Sequence, residues 1–285
     1  MTDDLPAGVA MTLEPLVTRV LAPNASAYTH TGTQTHIVGA EDVAVIDPGP
    51  ADAAHHAALL RAIAGRPVRA ILITHHHRDH SPGAIPLARE TGAPIAGAAP
   101  LVVREGGERA DAAFDPDYAP DRVLVEGDRI EGDGWTLAAL ATPGHTTNHL
   151  AFALPQTRAL FSGDHVMGWS TSVVSPPDGD MGAYMASLEK LLPRDDRVYY
   201  PGHGEQVDRP QRLVRGMLGH RRQREGQVLR LLEQGPHAIA TLVERMYVGL
   251  DPRLAGAASR SVLAHLIDLE RRGLARREDD AWRIG

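Results

Sequence analysis

The chain has 285 residues, a net charge of −7 and no cysteine. That length accommodates one large α/β domain with a smaller one beside it, and the missing thiols exclude disulfides, thiolate nucleophiles, iron–sulfur clusters and Cys-type zinc sites. Charge is uneven: residues 219–285 hold 12 Arg against 9 acidic residues, a balance of +3 that leaves residues 1–218 at −10 and argues against a broad grip on phosphate backbones.

No run of eighteen apolar residues occurs, and Met1-Thr2-Asp3-Asp4 is acidic where a secretory signal needs positive charge. The expectation is a soluble, cytoplasmic protein with no membrane partner. From residue 40 to residue 205 one pattern recurs, a short apolar run that stops in a polar loop containing Gly or Pro. Residues 42–46 run into Asp47-Pro48-Gly49, and residues 68–74 run into His75. Residues 135–141 run into Thr142-Pro143-Gly144-His145, residues 160–162 into Gly163-Asp164, and residues 198–200 into Pro201-Gly202-His203. Their Val, Ile, Leu and aromatic content predicts buried strands. Helices are expected at about 52–64, 82–91 and 181–192. The second would have Ser81 as N-cap, Pro82 as its first residue and Gly92 as its terminator. Such alternation implies sheets with helices packed outside and loops converging at the strand ends.

From about residue 219 the texture changes. Helical spacing fits 221–233, 238–247 and 255–272, and a two-stranded hairpin fits 274–284 around the turn Asp279-Asp280. Three helices and a terminal hairpin is the order of a winged helix. The expected division is a domain of residues 1–218 followed by a winged-helix-like domain of residues 219–285.

The chemistry is concentrated in His75-His76-His77-Arg78-Asp79-His80, which contains H-x-H-x-D-H. Residues two apart on an extended strand end point the same way, so His75 and His77 can reach one ion. Asp79 and His80, past the bend, can address a second. His145, Asp164 and His203 follow at three further strand ends, each beside a glycine that lets the backbone turn sharply. Imidazole and carboxylate suit zinc and tolerate iron or manganese. Among the other histidines, His55 and His56 read as surface residues, His76 as structural, and His149 and His165 as supports for ligands. Asp47, closing a strand in Ile46-Asp47-Pro48-Gly49, reads as a turn residue.

The order H-x-H-x-D-H, P-G-H-T, G-D, P-G-H-G resembles the metallo-β-lactamase superfamily over residues from about 15 to 215. The resemblance implies an αββα sandwich with the site on one edge. It implies one metal on His75, His77 and His145, a second on Asp79, His80 and His203, and Asp164 as the bridge. Two divalent ions, zinc foremost, would then acidify a shared water, and the resulting metal-bound hydroxide would attack an acyl or phosphoryl centre. Asp79 would also orient that nucleophile and shuttle its proton, which makes it the expected catalytic residue. The family name is not the activity: true metallo-β-lactamases are exported and lack the bridging carboxylate that Asp164 supplies. The diiron oxidoreductases of the superfamily have Glu where this chain has His77. Glyoxalase II shares the ligands but not the C-terminal pattern.

The group most similar is the β-lactamase-like protein 2 group, which joins this domain to a winged helix through a segment like His220-Arg221-Arg222-Gln223-Arg224-Glu225. Some of its members are single-strand-selective endoribonucleases and others thioesterases. The expected activity is hydrolysis of a small acyl substrate (thioester, ester or lactam-like), favoured by the acidic body. The alternative is a metal-dependent nuclease acting on single-stranded RNA. A third reading, a DNA-reading regulator, is disfavoured because helix 255–272 offers only Arg260 early on. The winged helix is expected to pack beside the site or to form a homodimer contact. Substrate contacts are expected in the loop 168–184, with Tyr184 as the named candidate, although helix packing competes for that ring.

Overall fold

A computed structural model describes residues 6–101 and 114–285, so the expectation drawn from Met1–Asp4 lies outside the described residues. No helix among the described residues is long and apolar enough to cross a membrane. The chain divides into two compact units. The first comprises the described residues up to Ala141, Asn148–Thr171 and Asp195–Pro210; the second comprises Thr142–Thr147, Ser172–Arg194 and Gln211–Gly285.

The first unit holds two sheets. Strands β1 (Ala10–Glu14), β2 (Val17–Leu21), β3 (Gln34–Val38), β4 (Val43–Ile46), β5 (Val68–Ile73), β6 (Ile95–Gly97) and β7 (Arg122–Val123) lie side by side in chain order. They are antiparallel from β1 to β4 and parallel from β4 to β7. Strands β8 (Arg129–Gly132), β9 (Trp135–Ala141), β10 (Leu150–Leu154), β11 (Ala159–Gly163) and β12 (Val198–Pro201) form the second sheet, with only the β11–β12 pair parallel. Strands β4 and β5 read as continuous apolar runs because both of their faces are covered. Ala44, Ile46 and Leu72 point into the core shared with Leu137, Phe152 and Phe161 of the second sheet. Val43, Val45, Ile71 and Ile73 point the other way, onto α1 (Ala53–Ile63) and α2 (Ala84–Thr91). The indole N–H of Trp135 also ties the sheets together, donating to Asp42 Oδ1 at 2.9 Å.

Helix α1 starts at an Asp52 carboxylate that accepts from the His55 N–H at 2.7 Å. Helix α2 departs from expectation. It begins at Ala84, and Gly83 in the N-cap position gives no side-chain cap. Ser81 does not cap it, because its hydroxyl donates instead to the buried Asp115 carboxylate at 2.6 Å. Gly92 does end the helix, with φ +71. His55 is likewise not a surface residue. It is buried and its Nε2 lies 2.8 Å from Thr35 Oγ1.

The second unit contains α3 (Met181–Leu191), α4 (Pro210–Leu232), α5 (Ile239–Met246), α6 (Ala255–Arg271) and the hairpin β13 (Ala275–Glu278)–β14 (Ala281–Ile284). Helix α4 starts at Pro210 rather than at 221, so the expected domain boundary at 218 falls inside one continuous helix. Val228, Leu242, Val262, Leu266 and Trp282 make the core of this unit. Backbone bonds of 2.8 and 2.9 Å between His237 and Trp282 add a third edge to the hairpin. The order of elements is the winged helix expected from the sequence.

Two stability predictions follow from this packing. Leu72→Ala deletes a fully buried side chain between the sheets and should lower unfolding stability by about 2–5 kcal/mol in a denaturant titration. Burial, helped by nearby Arg19, holds His36 at a pKa of about 3, and burial followed by Arg221 and its neighbours holds His265 at about 3. The unfolded chain takes up these protons more readily, so the contribution is complete above about pH 6.5 and is lost as pH falls toward 3. His36→Phe should flatten that acid limb in pH-dependent melts.

Candidate metal centre

The site is built from the ends of β4, β5, β11 and β12. Asp47, just past β4, adopts a left-handed φ of +49 that turns its carboxylate back across the sheet. It accepts from the Thr74 N–H at 2.8 Å and the Thr74 hydroxyl at 2.7 Å, which fixes the end of β5. The same carboxylate lies 3.0 Å from His80 Nδ1. A carboxylate there selects the tautomer with the proton on Nδ1, so the Nε2 lone pair faces the other way. His203 is set in the same manner, with Nδ1 donating to the Gly32 carbonyl at 3.2 Å. His75 Nδ1 lies 3.0 Å from the Thr74 hydroxyl and its Nε2 lies 3.0 Å from His77 Nδ1.

The donor atoms so aimed converge. His80 Nε2 is 3.2 Å from His203 Nε2, 3.5 Å from Asp79 Oδ2 and 3.6 Å from Asp164 Oδ1. His203 Nε2 is 3.1 Å from Asp79 Oδ2 and 3.4 Å from Asp164 Oδ1. Two overlapping sets, His75 with His80 and Asp164, and Asp79 with His80 and His203, each keep their donor atoms within 4.8 Å of one another. Ligands about 2.0–2.1 Å from a tetrahedral zinc are about 3.4 Å apart, which the separations of 3.1 to 3.6 Å around His80 and His203 match. The cluster is able to bind metal ions.

Two glycines leave room for this convergence. A Cβ on Gly202 would come within 2.7 Å of both Asp164 Oδ1 and His80 Cε1. Gly163 has φ +48, and a Cβ there would meet His149 Nε2 at 2.7 Å. The glycines of the G-D and P-G-H motifs therefore serve close approach to the donors as much as the turn.

The buried carboxylates and imidazoles shift one another strongly. Burial disfavours charge on Asp79 and Asp164, but the neighbouring imidazoles outweigh it. His80 and His203 hold both carboxyls well below the usual range. Burial likewise opposes charge on His80 and His203, yet the carboxylates around them raise both, His203 to about 9.

The supporting residues fall as follows. His149 Nε2 accepts from the Asp164 N–H at 3.2 Å, which places it behind that carboxylate. His165 is buried with its ring 6.0 Å from that of His149. His76 turns away from the cluster, stacks on Phe114 at 5.1 Å and accepts from Asn148 Nδ2 at 2.9 Å, the structural role expected of it. Thr74 and the Gly32 carbonyl were not foreseen. A hydroxyl at a strand end and a backbone oxygen far away in sequence carry no local signal.

In the second unit, His145 Nδ1 donates to the Val173 carbonyl at 2.6 Å, which leaves Nε2 as its lone-pair nitrogen. Tyr184 is fully buried within α3, with the Arg221 guanidinium 5.2 Å above its ring. The burial of that ring is what the competing expectation of helix packing describes. Gly202→Ala should abolish or sharply weaken metal retention, read by elemental analysis after dialysis, while the far-ultraviolet circular dichroism of the fold is kept.

Comparison with known proteins agrees with this geometry. Residues 29–203 match the Metallo-beta-lactamase superfamily, and residues 238–282 match the Beta-lactamase associated winged helix domain. The chain is 32% identical over 274 residues to the Beta-lactamase-like protein 2 homolog of Drosophila melanogaster, covering 91% of this chain and 89% of that protein. It is 30% identical over 282 residues to the Atrochrysone carboxyl ACP thioesterase AgnL7 of Paecilomyces divaricatus, covering 95% and 83%. A solved beta-lactamase domain protein from Burkholderia ambifaria shares the fold at a TM-score of 0.83 and 22% identity, over all of this chain and 96% of that one. Matched over most of its length, and with the donor cluster at the strand ends, the chain belongs to the metallo-β-lactamase superfamily of hydrolases.

Proposed function

We propose that this hydrolase works with two divalent metal ions on an acyl substrate, a thioester in the first instance. The observation that carries the dinuclear reading is the position of Asp164. Its carboxylate belongs to a set with His75 and His80 and lies within 3.6 Å of both His80 and His203, where it can bridge. We assign one ion to His75, His77 and His145 and the other to Asp79, His80 and His203. His145 enters on its motif, Pro143-Gly144-His145-Thr146, and on its Nδ1-protonated tautomer. Zinc is the first choice for a His and Asp donor set, with iron and manganese tolerated. Bound ions supply Lewis acidity toward a carbonyl oxygen and lower the pKa of a water.

The chain's own residues do the rest. Asp79 is the accessible carboxylate of the cluster, its side chain 28% exposed against 9% for Asp164. It can hold a water in line with a carbonyl carbon and pass the water's proton to the leaving thiolate. His80 and His203 fix the orientation of Asp79 through the contacts at 3.5 and 3.1 Å. Asp47, Thr74 and Gly32 keep the donor nitrogens aimed, so little reorganisation is left to the reaction. The thioester reading is supported by a relative named as an acyl-carrier-protein thioesterase that matches 95% of this chain, and by the acidic body.

The test is a substrate panel with metal-stripped protein reloaded separately with Zn²⁺, Mn²⁺ and Fe²⁺. An acyl thioester, a lactone, a penicillin, a phosphodiester and single-stranded RNA are compared. Metal-dependent thioester turnover is expected, falling about 10²–10⁴-fold in Asp79→Ala. Turnover of RNA alone, or thioester turnover that survives metal removal, would overturn the proposal.

A further inference from the structure

Resting on the assignment of His145 as a metal ligand, we infer that Arg221 of α4 is a positioning residue for that ligand. It acts through the backbone at Ser172–Val173. The residues involved all lie in the second unit.

The loop that carries His145 is pinned at four successive points. The Ser187 hydroxyl of α3 donates to the Pro143 carbonyl at 2.8 Å. The Asp180 N–H donates to the Gly144 carbonyl at 2.9 Å. Gly144, at φ +142, lies so close to α3 that a Cβ would sit 2.3 Å from the Tyr184 Cα. His145 Nδ1 then donates to the Val173 carbonyl at 2.6 Å. The first three contacts place the loop, and the last one chooses the tautomer and ring direction of His145, because a carbonyl can only accept.

Val173 has to be held if it is to hold His145, and it lies 40% exposed in a segment without regular structure. Arg221 provides the hold. It is 4% exposed, its Nη2 donates to the carbonyl of Ser172, the residue before Val173, and its Nη1 reaches Ser261 Oγ of α6 at 3.4 Å. Its guanidinium also lies 5.2 Å over the Tyr184 ring. One planar cation therefore joins α4, α6, α3 and the segment before Val173, a geometry that a flexible ammonium does not reproduce. Tyr184 sits between Gly144 and Arg221, its backbone against one and its ring beneath the other. This accounts for the full burial of that ring. Such supports of a ligand are typically worth 10–100-fold in metal affinity.

The test titrates Co²⁺ and Zn²⁺ into metal-stripped wild type, His145→Ala, Arg221→Ala, Arg221→Lys and Arg222→Ala. Stoichiometry, affinity and the cobalt visible spectrum are read, with thermal melts alongside. The wild type should take two ions, and His145→Ala should lose one of them. In Arg221→Ala that same ion should bind about 10–100-fold more weakly with an altered cobalt spectrum, the other ion being unaffected. Arg221→Lys keeps a donor and a charge and should fall between Arg221→Ala and wild type, which also guards against a variant that does not fold. Arg222→Ala removes an exposed neighbour paired with Glu189 and should match wild type. If His145→Ala loses an ion while the Arg221 variants keep both at wild-type affinity and spectrum, the positioning role is overturned and the ligand assignment stands. If His145→Ala loses none, the ligand assignment itself fails.

Discussion

The Asp47 carboxylate is the interaction on which the site depends. It is buried and held at a left-handed backbone position, where an aspartate is tolerated better than most residues. From there it fixes the end of β5 through Thr74 and aims His80 through Nδ1. Thr74 in turn sets His75. A single charge thus couples two parallel strands of the first sheet to donors in both overlapping sets. Burying it is tolerable because it meets two hydrogen-bond donors of Thr74 and an imidazole drawn toward its charged form.

The cluster beyond Asp47 is a concentration of charge that only a protein frame of this stiffness can maintain. Three carboxylates, Asp47, Asp79 and Asp164, each have an oxygen within 3.6 Å of a ring nitrogen of His80 or His203. The Asp164 and Asp79 carboxylates outweigh burial at His203 and raise it to about 9. A divalent cation satisfies the same carboxylates with far stronger fields, so stability and metal occupancy are linked. On the ligand set proposed above, the contacts at Gly32, Asp47 and Val173 decide which nitrogen of each imidazole carries the lone pair.

The C-terminal part of the chain takes on a different meaning in this light. A winged helix with a +3 balance invites a nucleic-acid reading, and its order of elements is that of such a domain. Yet Arg221, from the segment that joins it to the rest, is consumed internally by Ser172, Ser261 and Tyr184. Arg272 is paired with Glu225 and Asp268, and Arg271 with Asp180. These arginines are held by partners within their own unit, which restricts the side chains free to meet a phosphate backbone.

The sequence by itself determined that a His and Asp cluster stands at the ends of short apolar runs, and that the chain ends in three helices and a hairpin. These are local properties, because periodicity, strand-breaking glycines and the H-x-H-x-D-H spacing are written over a few adjacent residues. It also misjudged several positions. Ser81 looked like a cap but bonds to Asp115, His55 looked exposed but meets Thr35, and helix α4 began well before its apolar spacing did. In each case the deciding partner is distant in sequence or the local signal is weak. Only the tertiary structure decided that Gly32, Thr74 and Val173 orient the imidazoles and that Arg221 braces the His145 loop. The physical reason is that a tautomer, a ring direction or a buried charge is fixed by whichever donor or acceptor the fold brings within about 3 Å, and no spacing along the chain records that distance.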